Sequence, residues 1–181
     1  MIEHYTEALV LGRRPQAEFD ELVTLFTKDL GKVEAFVKSS RRPLSKLSPH
    51  LLPGNLVRAR LVEKNRLQLA DVLGERPKNK SADFLRFLDF LNQVTPWAEP
   101  DYPLWQLVKE AAHQGELDEG TYEKTLTVLG FYSDESLCVN CGSGQIVYFI
   151  TPDVIFLCES CYARLAGSLG KENAVFRFKK K

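Results

Sequence analysis

The chain has 181 residues, of which 44% are apolar, and its 24 basic and 24 acidic residues give a formal net charge of zero. This length and composition allow one large or two small domains with a real core, and they exclude a disordered chain. No apolar stretch approaches the ~20 residues that a membrane-spanning helix needs. The polar start, Met1-Ile2-Glu3-His4-Tyr5, has neither the basic segment nor the apolar run of a signal peptide.

The zero net charge conceals an asymmetry between the two halves of the chain. Residues 1–80 carry 15 Lys and Arg against 10 Asp and Glu, whereas residues 81–181 carry 9 against 14. Such a split is typical of a basic module that meets a polyanion beside an acidic module that does not. A solvated surface of mixed charge explains the same numbers, so charge alone does not decide between the two.

Five short β-strands are predicted in the first 70 residues, at 8–11, 22–30, 32–38, 57–61 and 67–69. The third and fourth segments alternate apolar and polar residues with period 2, and Gly12 and Gly31 interrupt the first two. A long basic loop with three prolines occupies residues 39–54. Five strands with tight turns and one long loop predict a small closed β-barrel of the OB-fold type, in a domain spanning residues 1–76.

Helices are predicted after the polar break at residues 76–80, which is the expected domain boundary. Ser81 can cap a helix that buries Phe84, Phe87, Leu88, Leu91 and Val94. A second helix is expected to start near Pro103, and a third to run from about Leu117 to Gly130. The predicted fold class is therefore α+β, with a helical domain at residues 81–181 after the barrel.

All four cysteines fall in two matched pairs, Cys138/Cys141 and Cys158/Cys161, in the array C-x2-C-x16-C-x2-C. This spacing is typical of a four-thiolate zinc site, and four thiolates fill a tetrahedral shell and leave no position for a substrate. We therefore expect one structural Zn²⁺ per chain, in a zinc ribbon at residues 138–161 with a hairpin that turns at Pro152-Asp153. Two disulfides, or a redox C-x-x-C in one pair, remain as alternatives.

Alternation in the third and fourth strands indicates which side chains face outward. Phe36 is expected on the outer face between Lys32 and Lys38, where a base could stack on its ring while the lysines hold phosphates. Packing of Phe36 under a domain interface is the alternative. The other candidate nucleic-acid contacts are basic residues of the turns, the long loop and the fourth strand: Arg13, Arg14, Lys38, Arg41, Arg42, Lys46, Arg58 and Arg60. They could line one groove that reads phosphate and shape.

Signals of catalysis are poor, and we expect no enzyme. His4, His50 and His113 lie near neither a cysteine nor a carboxylate pair in sequence. A phosphate-binding loop of the form G-x-x-x-x-G-K-[ST] and the zinc-deaminase motif are both missing from the sequence.

Several segments resemble the bacterial RecO family. They are Leu-Gly-Arg-Arg at 11–14, Glu-x-Asp-x-Leu-Val-Thr-Leu-Phe-Thr at 18–27, Leu-Gly-Lys-Val at 30–33 and Arg-Arg-Pro-x-Ser-Lys-Leu at 41–47. A second match, Leu129-Gly130-Phe131-Tyr132 followed by Leu137-Cys138-x-x-Cys141-Gly142-Ser143, is similar to the helical segment that enters the RecO zinc site. The chain is short for this family, and Ala17 and Ser39-Ser40 stand where glycine would be usual.

The resemblance implies a non-catalytic mediator of DNA repair and homologous recombination in the bacterial cytoplasm, associated with the nucleoid. Such a protein binds single- and double-stranded DNA, anneals complementary strands and helps load the recombinase RecA onto DNA coated with single-strand-binding protein, usually with the partner RecR. It has no membrane partner. From another class, an RNA- or ribosome-associated module with the same barrel and ribbon would prefer structured RNA.

Overall fold

The computed structural model describes residues 1–75, 80–118, 120–151, 153–170 and 174–177. They form two compact units, Met1–Leu117 and Asp118–Lys181. The architecture is mixed α+β, as the sequence predicts. The segment 76–79, which holds most of the predicted domain boundary, lies outside the described residues, and the two helices that follow it belong to the first unit. A separate domain of residues 1–76 stays a prediction.

A closed five-stranded barrel forms most of the first unit. Its strands are β1 (Ile2–Pro15), β2 (Glu21–Thr27), β3 (Gly31–Val37), β4 (Leu56–Glu63) and β5 (Leu67–Glu75). They follow the order β1-β2-β3-β5-β4, and β1 pairs with β4 to close the barrel. All neighbours are antiparallel except β3 and β5. This order is that of the predicted OB-fold.

The first strand is much longer than the sequence predicts. Gly12 does not end it, because a register shift between Val10 and Gly12 absorbs the irregularity and the strand continues to Pro15. The N-terminal half of β1 therefore pairs with β4 and the C-terminal half with β2. This arrangement places the ends of β1 on different sides of the barrel.

Alternating residues of every strand fill the barrel interior, as period-2 patterning requires. The predicted inward residues of β4, Val57, Ala59 and Leu61, are all buried. Leu51, from the long loop, is fully buried in the same cluster and fills the space between the strands. The loop is thus anchored to the core by an apolar side chain, although its sequence is mainly polar.

Two capped helices complete the first unit, α1 (Ala82–Val94) and α2 (Tyr102–Gln114). Ser81 accepts a hydrogen bond from the Phe84 N–H at 3.1 Å, as predicted, and Asp101 caps α2 in the same way. All five predicted apolar residues of α1 are buried. The sequence missed Trp105, which is fully buried with its ring centroid 6.1 Å from that of Phe26 in β2.

Gly31 begins β3 at φ +67°, and a Cβ at this position would overlap the backbone of Glu99. We expect Gly31→Ala to lower the free energy of unfolding by about 2–5 kcal/mol, since a left-handed alanine costs about 1–2 kcal/mol and overpacking about 1–3 kcal/mol. The matched control is Gly12→Ala, because a Cβ at Gly12 meets nothing within 4 Å. Urea unfolding measures the free energy of unfolding of each variant, and equal values for Gly31→Ala and Gly12→Ala would contradict the expectation.

The second unit combines a three-stranded sheet with short helices. Its elements are α3 (Thr121–Val128), β6 (Ile146–Thr151), β7 (Ile155–Cys158), α4 (Glu159–Leu165) and β8 (Ala174–Arg177), with sheet order β7-β6-β8. The predicted hairpin is confirmed as β6 and β7, although Pro152 of its turn lies outside the described residues. β8 has no counterpart in the prediction. The sequence predicts a helix after Cys161 that reaches about Leu169, whereas α4 starts at Glu159 and includes Cys161.

Phe149 of β6 lies at the centre of a small aromatic core in this unit. Its ring centroid is 5.3 Å from that of Phe156 and 6.4 Å from that of Phe131, and Tyr132 meets Phe156 at 5.9 Å.

Within the described ranges of both units, no helix combines the length and apolarity that crossing a bilayer requires.

Candidate metal centre and nucleic-acid interface

The four cysteine sulfurs converge at one end of the second unit. All four Sγ atoms lie within 4.8 Å of one another, and all four are free thiols. Cys138 and Cys141 lie in the loop before β6, Cys158 ends β7 and Cys161 lies in α4. Three of them are buried, and Cys141 is exposed. The two-disulfide alternative finds no support in this arrangement, whereas the geometry could hold one metal ion.

A tight turn shapes the first half of the cluster. Gly142 adopts φ +70°, and its N–H donates to the Cys138 carbonyl at 2.8 Å. The Cys138 N–H donates to the Ser143 carbonyl at 2.8 Å, and the Val139 N–H donates to Phe156 of β7 at 3.0 Å. The turn, which glycine permits at this φ, therefore points Cys138 and Cys141 toward the sulfurs of Cys158 and Cys161.

Charge cannot be spread evenly over four thiols that lie this close together. The Ser160 hydroxyl, followed by the Cys161 backbone N–H, lowers the pKa of Cys158 to about 6. The Ser143 backbone N–H favours the Cys141 thiolate, but the neighbouring sulfurs of Cys138, Cys161 and Cys158 raise the pKa of Cys141 to about 12. A bound cation would favour the Cys141 thiolate over the thiol.

Two side chains donate to the sulfur of Cys161, both at 3.1 Å: the Asn140 amide and the Arg164 guanidinium. The Cys161 sulfur holds the pKa of Arg164 above its usual value. Hydrogen bonds of this kind stabilise thiolates around a metal. Sequence reasoning missed both residues, and their nearness to the cysteines was the only signal that could have found them.

On the first unit, the structure brings together five of the predicted basic residues: Arg13, Arg14, Lys38, Arg41 and Arg42. We call them the loop cluster. They lie at the end of β1 and just after β3, and all five are exposed. The turn between β1 and β2 joins the two segments, because the Arg41 N–H donates to the Phe19 carbonyl at 3.0 Å and the Ser39 N–H donates to Asp20 at 2.7 Å.

Carboxylates neutralise part of the loop cluster. Arg14 donates twice to Glu34 at 3.2 Å, and Arg13 lies 3.9 Å from the buried Glu21. Arg41 donates to a backbone carbonyl, and the Arg42 guanidinium lies 5.3 Å from the ring centroid of Phe19. Arg41 and Arg42, together with Lys38, are thus the members for which no carboxylate partner is found among the described residues.

The predicted platform on β3 differs from the observed one. Lys32 is only 3% exposed, because its Nζ donates to the Asn92 carbonyl at the end of α1 at 2.7 Å and lies 4.5 Å from the Trp97 ring centroid. This burial lowers the pKa of Lys32. The prediction that Lys32 stands free beside an open ring is therefore wrong: helix α1 covers it.

Phe36 points to the outer face, as predicted, but its side chain is not open to solvent. It is 7% exposed, and the Cζ atom of Arg66 lies 3.4 Å from the ring centroid. The expectation of an exposed ring is thus wrong, because the side chain of Arg66, just before β5, lies on the ring. The alternative of burial under a domain interface stays a prediction. A role of Phe36 in DNA binding stays a prediction.

Three predicted contacts lie apart from the loop cluster. Arg58 and Arg60 are in β4, opposite Glu7 and Tyr5 of β1, and line a cleft of about 380 Å³. Glu7 and Arg13 are six residues apart on β1, which corresponds to roughly 20 Å. Arg60 is held by Glu3 at 3.1 and 3.3 Å, whereas Lys46 is exposed in the long loop. The cleft that Arg58 and Arg60 line includes no residue of the loop cluster, and one groove shared by all the predicted residues stays a prediction.

Comparison with known proteins identifies the first unit. The model of the family described as "Recombination protein O N terminal" matches residues 1–73. The chain is 26% identical over 176 residues to "DNA repair protein RecO" of Bacillus velezensis, and 30% identical over 156 residues to the protein of that name from Koribacter versatilis. These alignments cover 87% and 76% of the chain. Residues 1–73 thus match the N-terminal domain of the RecO family, and the chain is similar to RecO proteins over most of its length.

The RecO relatives are longer than this chain. The alignments cover 68% of the Bacillus velezensis protein, 63% of the Koribacter versatilis protein and 59% of the protein from Chlorobium limicola. The chain thus spans about three fifths to two thirds of the RecO proteins it matches. The family resemblance seen in the sequence is confirmed, and the match to the RecO N-terminal model includes the whole loop cluster.

Sequence reasoning missed one residue of the RecO barrel that the structure brings to the candidate interface. Alternation within the predicted strands assigns no role to Arg66, because Arg66 precedes the predicted strand at 67–69. Counting back by two from Gln68, the β5 partner of Phe36, would have placed Arg66 on the same outer face.

Proposed function

We propose that this chain acts in DNA repair and homologous recombination by binding single- and double-stranded DNA and annealing complementary strands. The observation that carries the proposal is the loop cluster, in which exposed Lys38, Arg41 and Arg42 lie at one end of a barrel of the OB-fold type. Barrels of this type bind single strands through a basic groove and stacking side chains. The relatives are named as DNA repair proteins.

Annealing requires charge neutralisation and no covalent step. Two phosphate backbones repel each other, and cationic side chains that neutralise the phosphates allow the backbones to approach. The loop cluster supplies one set of cations, and exposed Arg58 on β4 adds a further cation about 20 Å away along the barrel. Cations at two separated places suit a protein that holds two strands at once. We accordingly propose a mediator and not an enzyme.

We further propose that Cys138, Cys141, Cys158 and Cys161 bind one structural Zn²⁺ in a ribbon formed with β6 and β7. Four thiolates are the ligand set of structural zinc sites, the four Sγ atoms lie within 4.8 Å of one another, and the two donors to Cys161 suit a metal-bound thiolate. The ion, when bound, supplies a cross-link and a compensating charge. The residues themselves position the loop, the hairpin and α4.

The partners follow from the family. We propose that the chain assists loading of the recombinase RecA onto DNA coated with single-strand-binding protein, together with RecR, near the bacterial nucleoid. A competition assay with single-stranded DNA, duplex DNA and structured RNA tests the proposed DNA binding against the ribosome-associated alternative. Preference for structured RNA would favour that alternative, since 2′-hydroxyl contacts would then dominate.

Strand annealing provides the decisive test. Two complementary oligonucleotides labelled with a fluorophore and a quencher should anneal faster in the presence of the chain and without ATP. The acceleration should fade as salt rises, in step with binding, because released counterions drive both. Tight single-strand binding with no acceleration at any salt concentration would leave only a passive binding module.

A further inference from the structure

The stack of Arg66 on Phe36 lies in a row of side chains on the outer face of the barrel. Arg14, Leu22, Phe36 and Gln68 are successive Cα partners across β1, β2, β3 and β5. Arg66 precedes Gln68 by two residues, so its side chain rises from the same face. The stack is therefore at the centre of a row that spans four strands.

Arg66 covers the Phe36 ring closely. The distance of 3.4 Å from its Cζ atom to the ring centroid is that of two planes in van der Waals contact, so the guanidinium lies flat on the ring. Phe36 is 7% exposed beneath it, whereas Arg66 itself is exposed. One face of the guanidinium thus meets the ring and the other meets solvent.

The guanidinium keeps its hydrogen-bonding edge available. Across the ranges that the structure describes, no carboxylate and no carbonyl accepts a hydrogen bond from its side chain, in contrast to Arg14 and Arg60 on the same barrel. A planar cation with one open face and unengaged donors can stack on a base and hold a phosphate or a base edge together.

We propose that Arg66, held flat by Phe36, is the surface on which an unpaired DNA base stacks. The base forms a third layer above the guanidinium. The Phe36 ring lies beneath the guanidinium and fixes the plane of the guanidinium. Bases in a duplex are already stacked on their neighbours, so this contact favours single strands. The inference rests on the proposed DNA binding and assigns a base contact within it.

The test compares two variants on two ligands. Arg66→Lys keeps the charge but cannot present a plane, and Arg86→Lys, at an exposed position of α1 outside the proposed binding residues, is the matched control. The ligands are a thymidine oligonucleotide and a strand of equal length whose sugars carry no bases. We expect Arg66→Lys to weaken binding of the thymidine strand by at least about fivefold and to leave the abasic strand unaffected. The salt dependence should not change, since no charge is lost.

A third variant, Phe36→Leu, should weaken binding of the thymidine strand in the same way, because the guanidinium loses its support. Trp97 and Trp105 both belong to the first unit, so their fluorescence during thermal unfolding verifies that each variant is folded. A uridine oligonucleotide of the same length distinguishes RNA from DNA as the source of the stacked base. If Arg66→Lys weakened binding of the uridine strand more than binding of the thymidine strand, the assignment to DNA would be overturned.

Equal losses on the thymidine and abasic strands would show that Arg66 contacts phosphate only, and would overturn the inference. So would unchanged binding of both strands. Failure of the unmodified chain to bind either strand is a different result, because it would overturn the proposed function itself.

Discussion

Replacing Cys158 with serine is expected to remove zinc from the chain and to unfold its second unit. The four sulfurs connect the loop before β6, the end of β7 and α4, and the aromatic core around Phe149 is small. In small zinc domains the binding free energy is folding free energy, about 10–16 kcal/mol at neutral pH in zinc-finger peptides. Loss of one ligand should therefore cost most of the order in residues 118–181.

Elemental analysis and amide hydrogen exchange measure this effect. Metal content should fall from one zinc per chain to none, and protection of β6 and β7 should be lost. Fluorescence offers an internal control, because both tryptophans belong to the first unit and their emission should stay unchanged. A reduced, metal-free chain in which β6 and β7 remain protected would end the zinc proposal.

Reversing Arg41 and Arg42 to glutamate should weaken binding of single-stranded DNA at least about tenfold at low salt and flatten its salt dependence. Each phosphate contact contributes about 0.7 to the logarithmic slope for single strands, so two lost contacts lower it by about 1.4. Because phosphate contacts carry no sequence information, the loss should be uniform over sequences. Fluorescence anisotropy over a salt series measures both quantities.

The matched control for this double reversal is Arg86→Glu with Lys124→Glu. Both control residues are exposed, the charge change is the same, and neither belongs to the loop cluster. If the control weakened binding as much as the reversal of Arg41 and Arg42, net charge and not the loop cluster would govern affinity.

Local patterns in the sequence were sufficient for the interior of the barrel and for the cysteine cluster. Val57, Ala59 and Leu61 alternate with polar residues because a strand with one buried face requires it, and Ser81 caps α1 because its hydroxyl satisfies a free N–H. The two cysteine pairs bring their own spacing, so they could be assigned to one site without knowing the elements between them.

The outer face of the barrel could not be predicted in the same way. Lys32 and Phe36 have the outward register that alternation assigns, but burial on that face depends on groups distant in sequence. Lys32 is covered by the carbonyl of Asn92, 60 residues later, and Phe36 by Arg66. Periodicity reports which way a side chain points and carries no information about what comes to lie on top of it.

The seam between β3 and β5 gives the barrel a preferred place to open. Over the described residues these strands share one parallel pair, Phe36 with Gln68, whereas every other pair of neighbouring strands has seven or eight partners. The free energy of local opening is lowest where the fewest backbone pairs between strands must break. Phe36 and Arg66 stand on opposite sides of this seam, so a base stacked over them would hold both sides together. Binding of single-stranded DNA would then stabilise the closed barrel.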